Sequence, residues 1–323
     1  MKSRLFPLAL ATASALALTG CTATAGDADA DGGALQIVAS TNVYGQLAAE
    51  IGGDRVEVTS LIDSAAKDPH GYEATARDRL AVQKADLVIE NGGGYDAFMD
   101  ELIAGSDAVV ITAAEFSHDY PDAVVADDEH ADEHDDEHAD EHEGHAHIDG
   151  FNEHVWFDVH TVSHVAEQIA ADLAEIDPAG KAQYAAAAEQ LAGELEGIEG
   201  ELDALHTTLE GTPVFITEPL PGALAAAAGL DDVAPEGFAS AVEEGNEVAP
   251  AILLESLSLV EDGAVRAVLA NAQTGGAETS RIEAAAEDAG IPVITFHELL
   301  DADQSYAEWM RSAISDLAAA LDG

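Results

Sequence analysis

Histidine and carboxylate side chains recur at four separated points of this chain, each beside a short apolar run. Asp68-Pro69-His70-Gly71-Tyr72-Glu73 follows the run ending at Ile62, and Asn152-Glu153-His154-Val155-Trp156-Phe157-Asp158 precedes a helical stretch. Thr217-Glu218-Pro219 and Phe296-His297-Glu298 each close an apolar run. Two imidazoles with one or two carboxylates make a four-point donor set for a first-row divalent metal. A lone loop histidine is more often solvated or hydrogen-bonded than metal-bound, so the argument rests on all four segments converging.

Convergence requires elements that deliver them to one place. Strand-like runs at 35–40, 56–62, 86–90 and 108–112 alternate with helix-like stretches at 44–51, 74–84 and 95–103. After a helix at 161–176, Asp177-Pro178 has the N-cap and first-position residues of a new helix. Helix-favouring residues continue to about Glu210, a span of roughly 33 residues or about 50 Å. A second alternation then sets strands at 213–217, 265–270 and 292–296 among helices at 220–229, 249–260, 279–289 and 305–321. The expected fold is α/β: two lobes with parallel-sheet cores, joined by a long rigid linking helix. Ligands of such sheets sit beyond the carboxyl ends of the strands, which places the metal site in the cleft between lobes.

The expected organisation is a signal peptide at 1–20, a lipid-anchored flexible tether at 21–34 and a first lobe at 35–160. Linking helices at 161–211 and a second lobe at 212–323 complete it. Lys2 and Arg4 precede a short apolar run, and Leu18-Thr19-Gly20-Cys21 follows it, the order of a secretory signal. The run is too short for a spanning helix. Cys21 is the sole cysteine, so no intrachain disulfide can form, and a lipid anchor accounts for it better than chance.

Residues 127–149 hold six histidines (His130, His134, His138, His142, His145 and His147) among twelve acidic residues. With almost nothing apolar to bury, the segment reads as a disordered auxiliary metal loop. Its H-x-x-E-H spacings, beginning at His130-Ala131-Asp132-Glu133-His134, mimic a metalloprotease pattern. A catalytic pair needs a packed helix to hold it, which this composition cannot supply. The net charge of −53 excludes a nucleic-acid partner, because phosphate binding needs basic surface. No nucleophile–base pair or redox cysteine set is present, and Gly92-Gly93-Gly94 lacks the spacing of a phosphate-binding loop, so no enzyme is indicated.

The chain resembles the zinc- and manganese-binding solute-binding lipoproteins of ABC metal importers. The likeness lies in Asp68-Pro69-His70-x-Tyr72-Glu73, in Gln83-Lys84-Ala85-Asp86-Leu87-Val88-Ile89, in His154-Val155-Trp156-Phe157-Asp158 and in Asp177-Pro178. By that resemblance His70 and His154 are ligands from the first lobe, and Glu218 stands at the third ligand's place, histidine in many zinc carriers and glutamate in many manganese carriers. The fourth is commonly an aspartate; here Glu298 takes its place when Phe296 is aligned, with His297 as the alternative. Val159 replaces the family's usual proline beside the second motif. The resemblance implies a monomer lipid-anchored on the extracytoplasmic face of the cell membrane, working with an ABC permease and its ATPase. Zn2+ is the expected ion, since imidazole suits zinc better than manganese. Mn2+ is the alternative, and a metal-buffering or adhesive surface lipoprotein is a third reading.

Overall fold

Short β-branched runs flanked by glycine and polar residues become strands in the computed structural model, which describes residues 33–64, 67, 69, 71–121, 148 and 150–321. The first sheet comprises β1 (Leu35–Thr41), β2 (Val56–Ile62), β3 (Leu87–Glu90) and β4 (Val109–Thr112), all parallel, in the order β2-β1-β3-β4. The intervening helices are α1 (Asn42–Gly52), α2 (Ala76–Val82) and α3 (Phe98–Ile103). Then come α4 (Val159–Ile176) and α5 (Lys181–Leu209), packed on each other.

The second sheet repeats the plan. It holds β5 (Thr212–Ile216), β6 (Leu230–Asp232), β7 (Ala267–Asn271) and β8 (Val293–Phe296), parallel and ordered β6-β5-β7-β8. Its helices are α6 (Gly222–Ala227), α7 (Phe238–Glu243), α8 (Pro250–Glu261), α9 (Ala277–Ala289) and α10 (Tyr306–Leu321). Two parallel four-stranded α/β lobes and a long helix are thus present as the sequence implies. Neither β6 nor α7 was expected. β6 is three residues long with two exposed aspartates, and it carries no apolar alternation to read.

The long helix begins at Lys181 rather than Pro178 and has 29 residues, about 43 Å in length. The Asp177 carboxylate is shared: Oδ1 accepts from Ala179 N at 3.2 Å, while Oδ2 accepts from Arg55 Nε at 2.7 Å and Tyr184 Oη at 2.8 Å. Residues 177–180 therefore form a turn, closed by Gly180 N donating to Asp177 O at 3.0 Å. The buried stripe of α5 is narrow (Tyr184, Leu191, Leu195, Ile198 and Leu202), as befits a helix lying across a surface rather than inside a core. It touches α1 and α4 on one side, and α6 and α10 towards the second sheet.

The described residues from Gly33 onward hold together as one compact unit. Ile37 and Ile89 of the first sheet, Leu191 and Leu195 of α5, and Ile216 and Leu269 of the second sheet belong to one continuous apolar core. Each sheet's other face has its own smaller core, around Phe215 and Val268 in one lobe and Val38 and Val88 in the other. Alternate strand residues point to opposite faces, so each sheet contributes one face to the shared core and one to its private core.

Candidate metal centre

The carboxyl ends of both sheets meet at a group of buried polar side chains. His154 and Glu298 have no solvent exposure, and Glu218 has 1%. His154 enters a 3-10 turn over Val155–Phe157, pinned by buried Val155, Trp156 and Phe157. Its ring lies 5.2 Å from the Trp156 ring and 5.7 Å from the Tyr95 ring. Asn152 sets its orientation. The Asn152 Nδ2 donates to Pro219 O at 3.0 Å, so Oδ1 is the atom facing His154 N at 3.1 Å and His154 Nδ1 at 3.0 Å. An acceptor at Nδ1 fixes the proton there and leaves the Nε2 lone pair for other use. Glu243 Oε1 adds a second acidic neighbour, 3.7 Å from Nδ1. Nε2 faces Glu218 Oε1 of the other lobe at 3.8 Å.

Glu218 and Glu298 each stand two residues beyond a strand end, and both are held. Glu218 Oε2 accepts from Thr274 Oγ1. Glu298 Oε2 accepts from Tyr95 Oη at 2.8 Å, its Oε1 accepts from Asn271 Nδ2 at 2.7 Å, and its backbone N donates to Gln273 Oε1 at 2.8 Å. The Tyr95 bond crosses from one lobe to the other. His297 is exposed and lines a surface hollow with Thr295, Trp309 and Asp316. Neighbouring residues past a strand point opposite ways, and here the glutamate takes the inward direction.

His70 lies outside the described residues, as do Asp68, Cys21 and the loop histidines His130, His134, His138, His142, His145 and His147. The segments flanking His70 are held. Lys67 Nζ donates to Leu61 O at 2.7 Å and pairs with Asp63 at 2.8 Å. Thr75 and Asp78 form a capping box at the start of α2, and Tyr72 Oη donates to Asp78 at 2.9 Å. Among the described residues, no group of three or more His, Cys, Asp or Glu side chains is arranged to hold an ion.

Sequence reasoning missed the acidic residues around the group. Glu153 is 2% exposed; burial first, and then the negative charges of Asp96, Glu298 and Glu218, push its carboxyl up to about 8. Asp96 is buried too, raised by burial although it accepts from the backbone N–H groups of Asn91 at 2.7 Å and Gly92 at 2.8 Å. Asn91 in turn accepts from Tyr44 Oη and donates to Glu153 O at 2.9 Å. Asn91 follows β3 and Asn271 ends β7, so the strand-end rule that found Glu218 could have found both. The carboxylates repel one another in a region shielded from water, an arrangement that a multivalent cation relieves.

The family described as "Zinc-uptake complex component A periplasmic" matches residues 37–320. The chain belongs to this family. Among the curated relatives of the chain, the manganese-binding lipoprotein MntA of Halalkalibacterium halodurans is 28% identical over 190 residues, 58% of this chain and 56% of MntA. The chain thus spans little more than half the length of that relative. The periplasmic zinc binding protein TroA from Treponema pallidum has a TM-score of 0.67 at 18% identity, covering 90% of this chain and 99% of TroA. The laminin binding protein Lmb of Streptococcus agalactiae, titled a bifunctional protein with adhesin and metal transporting activity, has a TM-score of 0.68 at 20% identity, covering 89% of this chain and 99% of Lmb. At these identities the two structures bear on the fold of the zinc-uptake family member.

Proposed function

We propose that the chain captures zinc between its lobes with His70, His154, Glu218 and Glu298, and hands it to an ABC permease powered by its ATPase. The observation that carries this reading is the pairing of His154 and Glu218, buried donors from different lobes 3.8 Å apart beside the fixed Glu298. The metal is cargo, and the family is one of solute-binding transport components rather than enzymes. The shared core and the inter-lobe hydrogen bonds favour release by a small local shift over a wide hinge. Asn42 illustrates the stitching: its Nδ2 donates to Leu300 O at 2.8 Å, and its Oδ1 accepts from Leu300 N at 3.1 Å.

Cys21 is the proposed lipid attachment point, on the order of residues ahead of it and the lipoprotein name of MntA. No helix among the described residues is long and apolar enough to cross a membrane. Cys21→Ala should move the protein from the membrane fraction to the soluble one, and unchanged retention counts against the anchor.

Manganese is the second reading, favoured by two carboxylates in the donor set and by the relative's name. Competition between zinc and manganese on the purified protein, read by calorimetry with a chelator, decides between them. Tighter zinc is expected, because two imidazoles favour the later ion. Tighter manganese overturns the choice of ion, and binding of neither at the wild-type site overturns capture.

A further inference from the structure

His160 and His164 lie on the exposed side of α4, away from the buried group. Residues four apart on a helix are surface neighbours. Here their Nε2 atoms stand 3.3 Å apart, with the rings edge to face at 86°. Two nitrogen donors on a tetrahedral zinc, each at 2.0–2.1 Å, lie about 3.3–3.4 Å from each other. The spacing is that of a chelating pair.

The other ring nitrogens face acids. His160 Nδ1 lies 3.4 Å from Glu199 Oε1 on α5, and His164 Nδ1 lies 3.8 Å from Glu167 Oε2. A carboxylate beside Nδ1 favours the proton there and directs the lone pair to Nε2, the arrangement common to metal-bound histidines. With both rings in that tautomer the two Nε2 lone pairs face each other and repel unless a cation stands between them; with one ring in the other tautomer, its Nε2–H donates to the facing Nε2. The two imidazoles are 67% and 47% exposed, so water can complete the coordination without an ion having to be fully dehydrated.

We propose that His160 and His164 form a second, surface site for a late first-row divalent ion such as zinc, nickel or copper. Glu199 and Glu167 orient the two rings, and Glu199 ties the site on α4 to α5. The site is independent of the buried group, since none of its four residues bonds to His154, Glu218 or Glu298.

The test is a zinc chloride titration of the full-length chain, with the six loop histidines replaced by alanine to remove competing imidazoles, followed by histidine ring NMR. His160→Gln and His164→Gln assign the two ring signals, and both residues are exposed enough for the fold to survive, checked by circular dichroism. The expected result is that, after the buried site has taken the first equivalent, both signals move together, saturate with one further zinc, and report binding through Nε2. Each single variant should weaken that event at least about tenfold, and Glu199→Gln severalfold. Ring signals that stay put in excess zinc overturn the proposal, as does a His160→Gln variant whose His164 signal responds as in the parent. Those results would leave the pair as two imidazoles sharing a proton.

Discussion

The two lobes share a strand order but bring their buried polar side chains to the middle of the molecule by different routes. In the second lobe Glu218 and Glu298 follow β5 and β8 by two residues each, so the sheet itself places them. Hydrogen bonds from Thr274, Asn271 and Tyr95 then fix the carboxylates. In the first lobe His70 lies eight residues beyond the end of β2, and His154 lies beyond β4 and the whole acidic segment. His154 rides on a connection that needs supports of its own, Asn152 and the Trp156 packing. The second lobe's acids are tied to their own sheet by several hydrogen bonds, whereas His154 is held by its own connection rather than by a sheet. On the proposed function, then, release begins in the first lobe while the second holds still.

The largest effect should come from the loop-borne side. Each imidazole is expected to contribute at least about tenfold to zinc affinity, roughly 1.4 kcal/mol. The His70→Ala, His154→Ala double variant should therefore lose at least about a hundredfold by calorimetry. Near-native affinity in that variant breaks both the site and the division of labour between lobes.

Glu298→Ala sharpens the contrast from the other side. It should weaken zinc less than either histidine change, because water can take the vacated position, yet lower metal-free stability more. Asn271 Nδ2 and Tyr95 Oη would lose a buried acceptor, a cost of about 1–3 kcal/mol readable in urea unfolding. Tyr95→Phe removes the inter-lobe bond to Glu298 while keeping the ring, and should cost about 1–3 kcal/mol. A Glu298→Ala protein as stable as the parent would show that the second lobe does not rely on its fixed acids.

The last effect is read against pH and concerns Glu90, at the end of β3, away from the donors. Burial and then Asp96 push its carboxyl from 4.5 to about 7, although it accepts a hydrogen bond from Thr112 Oγ1 at 2.8 Å. The fold favours its protonated form, so its contribution is fully present below pH 4.5 and is lost as pH rises through about 7. Glu90→Gln, neutral at every pH, should melt close to the parent at pH 4 and above it at pH 8. A gap that does not change with pH counts against this assignment.

The repeated strand–helix order, the two lobes and the linking helix were legible because apolar runs and their periodicity are local properties. Glu218 and Glu298 stood out because a parallel sheet presents its strand ends to one side, and His154 stood out through the motif it shares with the metal-importer family. The sequence was ambiguous at Asp177, which caps a turn ahead of the helix and also pairs with Arg55, 122 positions away. It could not show that Glu298 turns inward while His297 turns out, because that depends on which face of β8 meets the shared core. Nor could it show Tyr95 reaching across to Glu298, 203 residues further on, or the acidic company of Glu153 and Asp96. Residue types and local spacing are written along the chain; which buried groups face one another is decided only when the two sheets pack into a common core.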